Sequence, residues 1–173
     1  QIFKDYGLLG LLSKYEGRLY KVISEAYPQI HEWELPFVNK SFWESKDNRI
    51  KAMDWLFKDK LNWSIEDIKT NISQNTFKNN GLTGLINYYK GSPYGAISDY
   101  LGENSIKAWE LPITPSNFWK NADNCIDATN WMIEKFGINL DNINKISKAF
   151  LCEIGIYGVV INKYDNSTIN FKI

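Results

Sequence analysis

Apolar residues recur along this chain with the period of short helices. Leu8, Leu11, Leu12 and Tyr15 fall at i, i+3, i+4 and i+7, and so do Leu82, Leu85, Ile86 and Tyr89. That spacing lines one face of a helix. Gly17 and Gly91 follow, where a helix commonly ends in a left-handed residue. Ser92-Pro93 then reads as an N-cap with proline at the first helical position. The helix it opens carries Tyr94, Ile97 and Leu101; its earlier counterpart carries Tyr20, Ile23 and Tyr27 and stops at Pro28. A loop follows, and a third helix starts near Asp47-Asn48 and near Asp123-Asn124. Its apolar stripe is Ile50, Met53, Leu56 and Phe57 in one place and Ile126, Met132, Ile133 and Phe136 in the other, with Gly137 as a stop. Ser64-Ile65-Glu66-Asp67 has the form of an N-cap with acidic residues in the first turn. It opens a short helix carrying Ile65, Ile68 and Ile72; the counterpart opens at Asn139-Leu140-Asp141-Asn142 and carries Leu140, Ile143 and Ile146. No convincing strand run appears, although Ile169, Phe171 and Ile173 alternate in the tail.

These elements repeat. Gly7-Leu8-Leu9-Gly10-Leu11 returns as Gly81-Leu82-Thr83-Gly84-Leu85 and again, after an equal step, as Gly155-Ile156-Tyr157-Gly158-Val159. Trp33-Glu34-Leu35-Pro36 returns as Trp109-Glu110-Leu111-Pro112, Phe42-Trp43 as Phe118-Trp119, and Ala52-x-x-Trp55 as Ala128-x-x-Trp131. These three pairs share one step, slightly longer than that of the glycine motif. The expectation from this self-similarity is an all-α fold, a tandem repeat of a unit of about 75 residues with three to four short helices. Residues 1–38 form the second half of a unit, 39–112 a complete unit, and 113–173 a further unit, truncated or degenerate at its C-terminal end. Because the chain opens at Gln1 in mid-repeat, it is expected to be part of a larger protein. Trp33, Trp43, Trp55, Trp109, Trp119 and Trp131 occupy repeated positions and are expected in the core, where each buries a large apolar area.

Composition narrows the functional classes. Lys and Arg total 20 and so do Asp and Glu. The net basic charge usual in a nucleic-acid binder is absent, although a neutral total is compatible with one basic face. Two cysteines, Cys125 and Cys152, correspond to Arg49 and Lys78 in the repeat, so they form no disulfide framework and are expected as free thiols. A reducing, cytoplasmic setting follows as an expectation. No apolar run approaches the ~18 residues of a membrane span. The single histidine, His31, has Lys107 as its counterpart, so neither a metal site nor a Cys–His dyad is expected, and no cofactor. Nucleotide-binding and hydrolase signatures are missing. Gly7-x-x-Gly10 and its copies hold apolar residues suited to a helix rather than to a phosphate loop. Glu34 and Glu110 are repeated, which points to a backbone-capping role; Glu66-Asp67-Ile68-Lys69 reads as a solvated helix face. No catalytic activity is expected of this segment.

The helix pair reads G-L-x-G-L-[LI]-x-x-Y, then Gly, then Tyr20-Lys21-Val22-Ile23 or Tyr94-Gly95-Ala96-Ile97. Before it in the cycle stands Asn48-Arg49-Ile50-Lys51-Ala52-x-x-Trp55-Leu56. This pattern resembles short helical repeats found in uncharacterised bacterial and eukaryotic proteins. It is also distantly similar to the helix-turn-helix-like repeats that accompany homing endonucleases. The resemblance implies a DNA-binding module in which the helix after the Gly turn enters a major groove. It would present Arg18, Lys21 and Ser24 in the first copy and Ser92, Ser98 and Asp99 in the second, with Lys14 and Lys90 placed to touch phosphates. The competing expectation is a helical-repeat scaffold that binds proteins, with no nucleic-acid contact. A basic stripe shared by the copies favours the first; a contiguous exposed patch of Trp and Tyr favours the second.

Overall fold

The computed structural model describes residues 2–7, 9–35, 38–103 and 105–172. Leu8, Pro36 and Ile173, and the side chain of Ile169, lie outside the described set. The α-helices are α1 (Ile2–Asp5), α2 (Leu9–Lys14), α3 (Leu19–Ala26), α4 (Lys46–Asp54), α5 (Ile65–Asn71), α6 (Gln74–Asn79), α7 (Thr83–Tyr88), α8 (Pro93–Leu101), α9 (Ala122–Phe136), α10 (Lys148–Glu153), α11 (Tyr157–Lys163) and α12 (Thr168–Lys172). A π-helical segment, Trp55–Lys60, continues α4, and 3₁₀ turns cover Glu32–Glu34, Lys40–Glu44, Ala108–Glu110, Phe118–Lys120 and Ile143–Lys145. Among the described residues there is no strand. The chain is all-α.

Local chemistry sets the helix boundaries. Ser45, Ser64, Ser73, Ser92 and Ser147 each cap a helix by accepting the backbone N–H at i+3. The Gly17 and Gly91 amides reach back to the carbonyls of Leu12 and Ile86, both at 2.9 Å. Their φ angles are +74° and +78°, so the turn suits a residue without a Cβ. Glu34 accepts the His31 amide and Glu110 the Lys107 amide, each at 2.9 Å, closing the 3₁₀ turns that hold Trp33 and Trp109. Part of the expected Trp-Glu-Leu-Pro loop is therefore ordered as a turn.

Two apolar clusters form. The first gathers Trp33, Trp43, Met53, Leu56, Phe57, Ile68, Ile72, Phe77, Leu82, Leu85, Ile86 and Ile97; the second gathers Trp109, Cys125, Ala128, Met132, Ile146, Leu151, Ile156, Val159 and Val160. Glycine is what lets the tryptophans in. A Cβ on Gly84, in α7, would lie 2.3 Å from Nε1 of Trp43, and one on Gly158, in α11, 2.3 Å from Nε1 of Trp119. A Cβ on Gly155 would lie 2.0 Å from the Trp109 carbonyl oxygen, and one on Gly81 3.9 Å from that of Trp33. The motifs Gly-x-x-Gly, Trp-Glu-Leu and Phe-Trp thus meet in one contact although they are distant in sequence.

Several expectations need correction. Trp33, Trp43 and Trp109 are buried, but Trp55, Trp119 and Trp131 are half-buried and pack against the clusters from outside. In α9 the buried face is Cys125, Ala128 and Met132, while Ile126, Ile133 and Phe136 are exposed. The core takes the face spaced i, i+3, i+7 from Cys125; Ile126 and Ile133 each fall one residue, about 100°, off that face, and Phe136, in the last turn, packs against Trp131 and Phe150 at the edge of the cluster. Leu140 is exposed, and only a 3₁₀ turn forms where the spacing predicts a helix through Ile146. The tail is helical: α12 starts after Ser167, whose hydroxyl accepts the Asn170 amide at 3.3 Å, so the alternation of Ile169 and Phe171 is not a strand signal.

Helix pitch accounts for differences in spacing. The step from Trp55 to Trp131 is one residue longer than the step from Trp63 to Ile138, which end the same stretch. The extra residue is taken up by the π-helical Trp55–Lys60, whose counterpart in α9 is regular α-helix. Ile68 of α5 and its C-cap Ile72 are four apart, whereas Ile143 of the 3₁₀ turn and its C-cap Ile146 are three apart. Each pair still turns inward, because each spacing matches its own helix period.

Candidate interaction surface

The Gly-turn helices α3 and α8 each border a groove at the turn. One groove, about 690 Å³, is lined by Arg18, Lys21, Glu32 and Asn39 among others. The other, about 610 Å³, is lined by Gln74, Lys90, Ser92, Pro93, Ile113 and Pro115 among others. Four of the six candidate contact residues thus line the two grooves. Lys14 and Ser98 line neither.

Their surroundings are not those of a shared basic stripe. Arg18 and Lys21 are both paired with Glu16, at 3.5 and 3.3 Å, on an exposed surface. Lys21 foremost, with Arg18, holds the Glu16 carboxyl below its ordinary range. The Ser92 hydroxyl is engaged as the α8 cap, accepting the Gly95 amide at 3.1 Å. Lys14 lies 5.6 Å from the Tyr15 ring centroid. Lys90 is exposed, Ser98 is half-buried, and Ser24 donates to the Lys21 carbonyl. Position by position the charges disagree: Lys90 corresponds to Glu16, Ser92 to Arg18 and Gly95 to Lys21.

Asp99, expected on the outward polar face of α8, is turned toward α4. Its Oδ2 accepts from Arg49 Nε at 3.0 Å, from Arg49 Nη2 at 2.9 Å and from the Tyr89 hydroxyl, while Oδ1 pairs with Lys46 at 3.2 Å. Arg49 Nη1 donates to the Trp43 and Glu44 carbonyls at 2.9 and 3.0 Å, and the guanidinium lies 4.3 Å from the Tyr88 ring centroid. A planar, five-donor cation suits such a site. Burial pushes the Asp99 carboxyl upward, but the bonds from Tyr89, Arg49 and Lys46 outweigh it and hold the carboxyl below its usual range. The Tyr89 hydroxyl is pushed up, first by burial and then by its bond to Asp99. Nothing in the sequence marks this cluster. Arg49 and Asp99 are distant along the chain, and Arg49 corresponds to Cys125. Cys125 fills the equivalent place as a buried thiol donating to the Trp119 carbonyl at 3.2 Å.

Candidates for chemistry are sparse. Among the described residues no group of three or more His, Cys, Asp or Glu is placed to hold a metal ion. No described helix is long and apolar enough to cross a membrane. His31 stacks on Trp33, ring centroids 4.5 Å apart. Asp67 serves a capping box with Ser64, and Lys69 joins Glu66 and Glu110 in ion pairs at 3.1 and 3.6 Å. The indole Nε1 groups of Trp33 and Trp109 are buried without a hydrogen-bond partner among the described residues. Apolar side chains are plentiful on the surface near the N-terminal end: Tyr6, Leu9, Leu11, Leu19 and Tyr27 are all exposed. No family model, curated protein or solved structure matches the chain.

Proposed function

We propose that this chain is a stretch of a tandem helical-repeat array that binds polypeptide segments rather than catalysing a reaction. Support for the array comes from corresponding residues in corresponding contacts: Gly84 on Trp43 as Gly158 on Trp119, Glu34 capping His31 as Glu110 caps Lys107, and Asn48 donating to the Phe42 carbonyl as Asn124 donates to that of Phe118. The observation that carries the binding preference is the charge pattern at the Gly turns. Glu16 stands where Lys90 stands in the next copy and holds both Arg18 and Lys21, so the six candidate contacts make no common track for a phosphate backbone. Among the described residues lining the groove at α8, Lys90 is the one formally charged; the others offer hydroxyl, amide and apolar surface. That composition suits an uncharged peptide.

The test has two arms. Titration of the chain with labelled random-sequence duplex DNA and with RNA, at low salt and across a salt series, is expected to show no steeply salt-dependent binding. A steep loss of binding with added salt would establish phosphate contacts and restore the DNA-binding reading. Peptides selected from a random library against the intact chain are expected to shift the NMR signals of Lys90, Ser92 and Ile113, and Ile113→Asp is expected to remove those shifts. Binders that map elsewhere overturn the assignment of the groove.

A further inference from the structure

The glycine pair that seats a tryptophan pair occurs three times in the sequence but is occupied twice. Gly84 and Gly158 lie against Trp43 and Trp119, closer than any Cβ would allow. Among the described residues, nothing lies within 4 Å of where a Cβ would stand on Gly7 or Gly10. The flanking apolar residues follow the same division. Leu85 and Ile86 of α7 and Val159 and Val160 of α11 are buried, whereas Leu11, the counterpart of Leu85 and Val159, is 41% exposed and no residue of α2 is buried. Leu19, the counterpart of the buried Pro93, is likewise 41% exposed.

We propose that the glycine face of α2 is a docking site for a tryptophan-paired half-unit of the same kind as residues 27–74, supplied by an adjacent unit of the array. The proposal rests on the tandem-array reading given above, not on its peptide-binding part. The occupant is defined by the two places where the same face is covered. In both, the cover is an indole from a Phe-Trp turn, with a second tryptophan from a Trp-Glu-Leu turn on the preceding glycine of the pair. In both, the cover comes from earlier in the chain, Trp43 preceding Gly84 and Trp119 preceding Gly158 by nearly the same separation. Trp43 and Trp119 are already engaged within this chain, so neither is free to fill α2. Gly10 sits in a helical turn, so a bulky indole has the same backbone to rest on as at Gly84. Covering α2 would also bring an α4-like helix over α3, as α4 lies over α8.

The decisive experiment adds a second copy of residues 27–74 directly before Gln1. This places the added copy of Trp43 as far ahead of Gly10 as Trp43 itself stands ahead of Gly84. Amide exchange in α2 is compared between the natural and the extended chain. The expected result is at least a tenfold slowing across Gly10–Leu12 in the extended chain. Gly10→Val is expected to remove that slowing there and to leave α2 exchange unchanged in the natural chain. Equal α2 exchange in the two chains overturns the proposal, as does slowing that survives Gly10→Val. If sedimentation shows the natural chain pairing with itself and α2 becoming protected as concentration rises, the face joins copies instead, and the proposal is also overturned. Gly84→Val in the natural chain separates the two levels. Failure to expose Trp43, read by a red shift of its emission, removes the tandem-contact reading itself. A clear red shift together with an unprotected α2 removes only the docking site.

Discussion

Replacing Gly84 by alanine sets two opposing effects against each other. Within a helix alanine is favoured over glycine by up to about 1 kcal/mol, less in the first turn where Gly84 sits, so on propensity alone the change stabilises. The new methyl, however, would stand 2.3 Å from Nε1 of Trp43 and 3.1 Å from two further atoms of the indole. Trp43 is only 3% exposed and is flanked by Phe42, its ring edge-on at 5.0 Å, so the indole cannot swing away without disturbing the cluster. Overpacking of this kind costs about 1–3 kcal/mol, toward the upper end where the neighbour is rigid. The net expectation is a loss of about 1–2 kcal/mol, which for a chain of this size lowers Tm by roughly 2–8 °C. Gly10→Ala is the matched control. It places the same methyl in the same motif with no described residue within 4 Å, so it is expected to leave Tm unchanged or raise it slightly. Thermal unfolding followed by circular dichroism, with tryptophan emission as a second probe, reads both. A Gly84→Ala variant that melts at or above the parent temperature would show that the indole does not rest on α7.

Further outcomes follow from the same contacts. Arg49→Leu leaves the Asp99 carboxylate and the Trp43 and Glu44 carbonyls without their donors; a loss of about 3 kcal/mol is expected in urea unfolding, since removing one partner of a buried pair typically costs about 3–5 kcal/mol and Asp99 retains some solvent. Because the Asp99 carboxyl is held below its usual range in the folded chain, its contribution is present above pH ~4 and fades as pH falls further; Asp99→Asn is expected to flatten that acid limb. The Tyr89 hydroxyl is held above its usual range, so its contribution is complete below pH ~10 and is lost as pH rises beyond it, measurable as a fall in Tm that Tyr89→Phe diminishes. Trp33→Ala is expected to cost about 3–5 kcal/mol, and Trp55→Ala, at a half-buried site, about half as much; equal losses would contradict the difference in burial.

What the sequence discloses, and what it hides, divides along physical lines. Helix starts at Ser64 and Ser92 and stops at Gly17, Gly91 and Gly137 are legible because capping is local: donor and acceptor lie within a few residues. The repeated tryptophans and glycines are visible as repeats, but their mutual contact is not, since periodicity shows that a residue is used twice without showing what it touches. The buried face of α9 is misread because Ile126, Ile133 and Phe136 are more apolar than Cys125 and Ala128, while the side of α9 turned to the Phe118–Lys120 turn carries the small Cys125, whose thiol donates to the Trp119 carbonyl. At the candidate surface, the basic residues of α3 are identifiable, yet their neutralisation by Glu16 depends on the left-handed turn at that residue, φ +56°. The Arg49–Asp99–Tyr89 cluster leaves no trace, since it joins residues far apart along the chain and its central cation, Arg49, is a cysteine in the next copy.

The two off-pitch segments have an evolutionary consequence. A one-residue insertion or deletion inside a packed helix normally rotates everything beyond it by about 100° and would pull the tryptophan turns out of line with their glycines. Here the surplus residue near Trp55–Lys60 is absorbed by a wider coil, and the missing one between Ile143 and Ile146 by a tighter coil, so the inward-facing residues on either side keep their places. Length changes in these stretches are thus expected to disturb the core less than substitutions at Gly84 or Gly158, which press directly on an indole. The lineage of this protein is expected to vary in spacing within those helices while holding its glycines fixed.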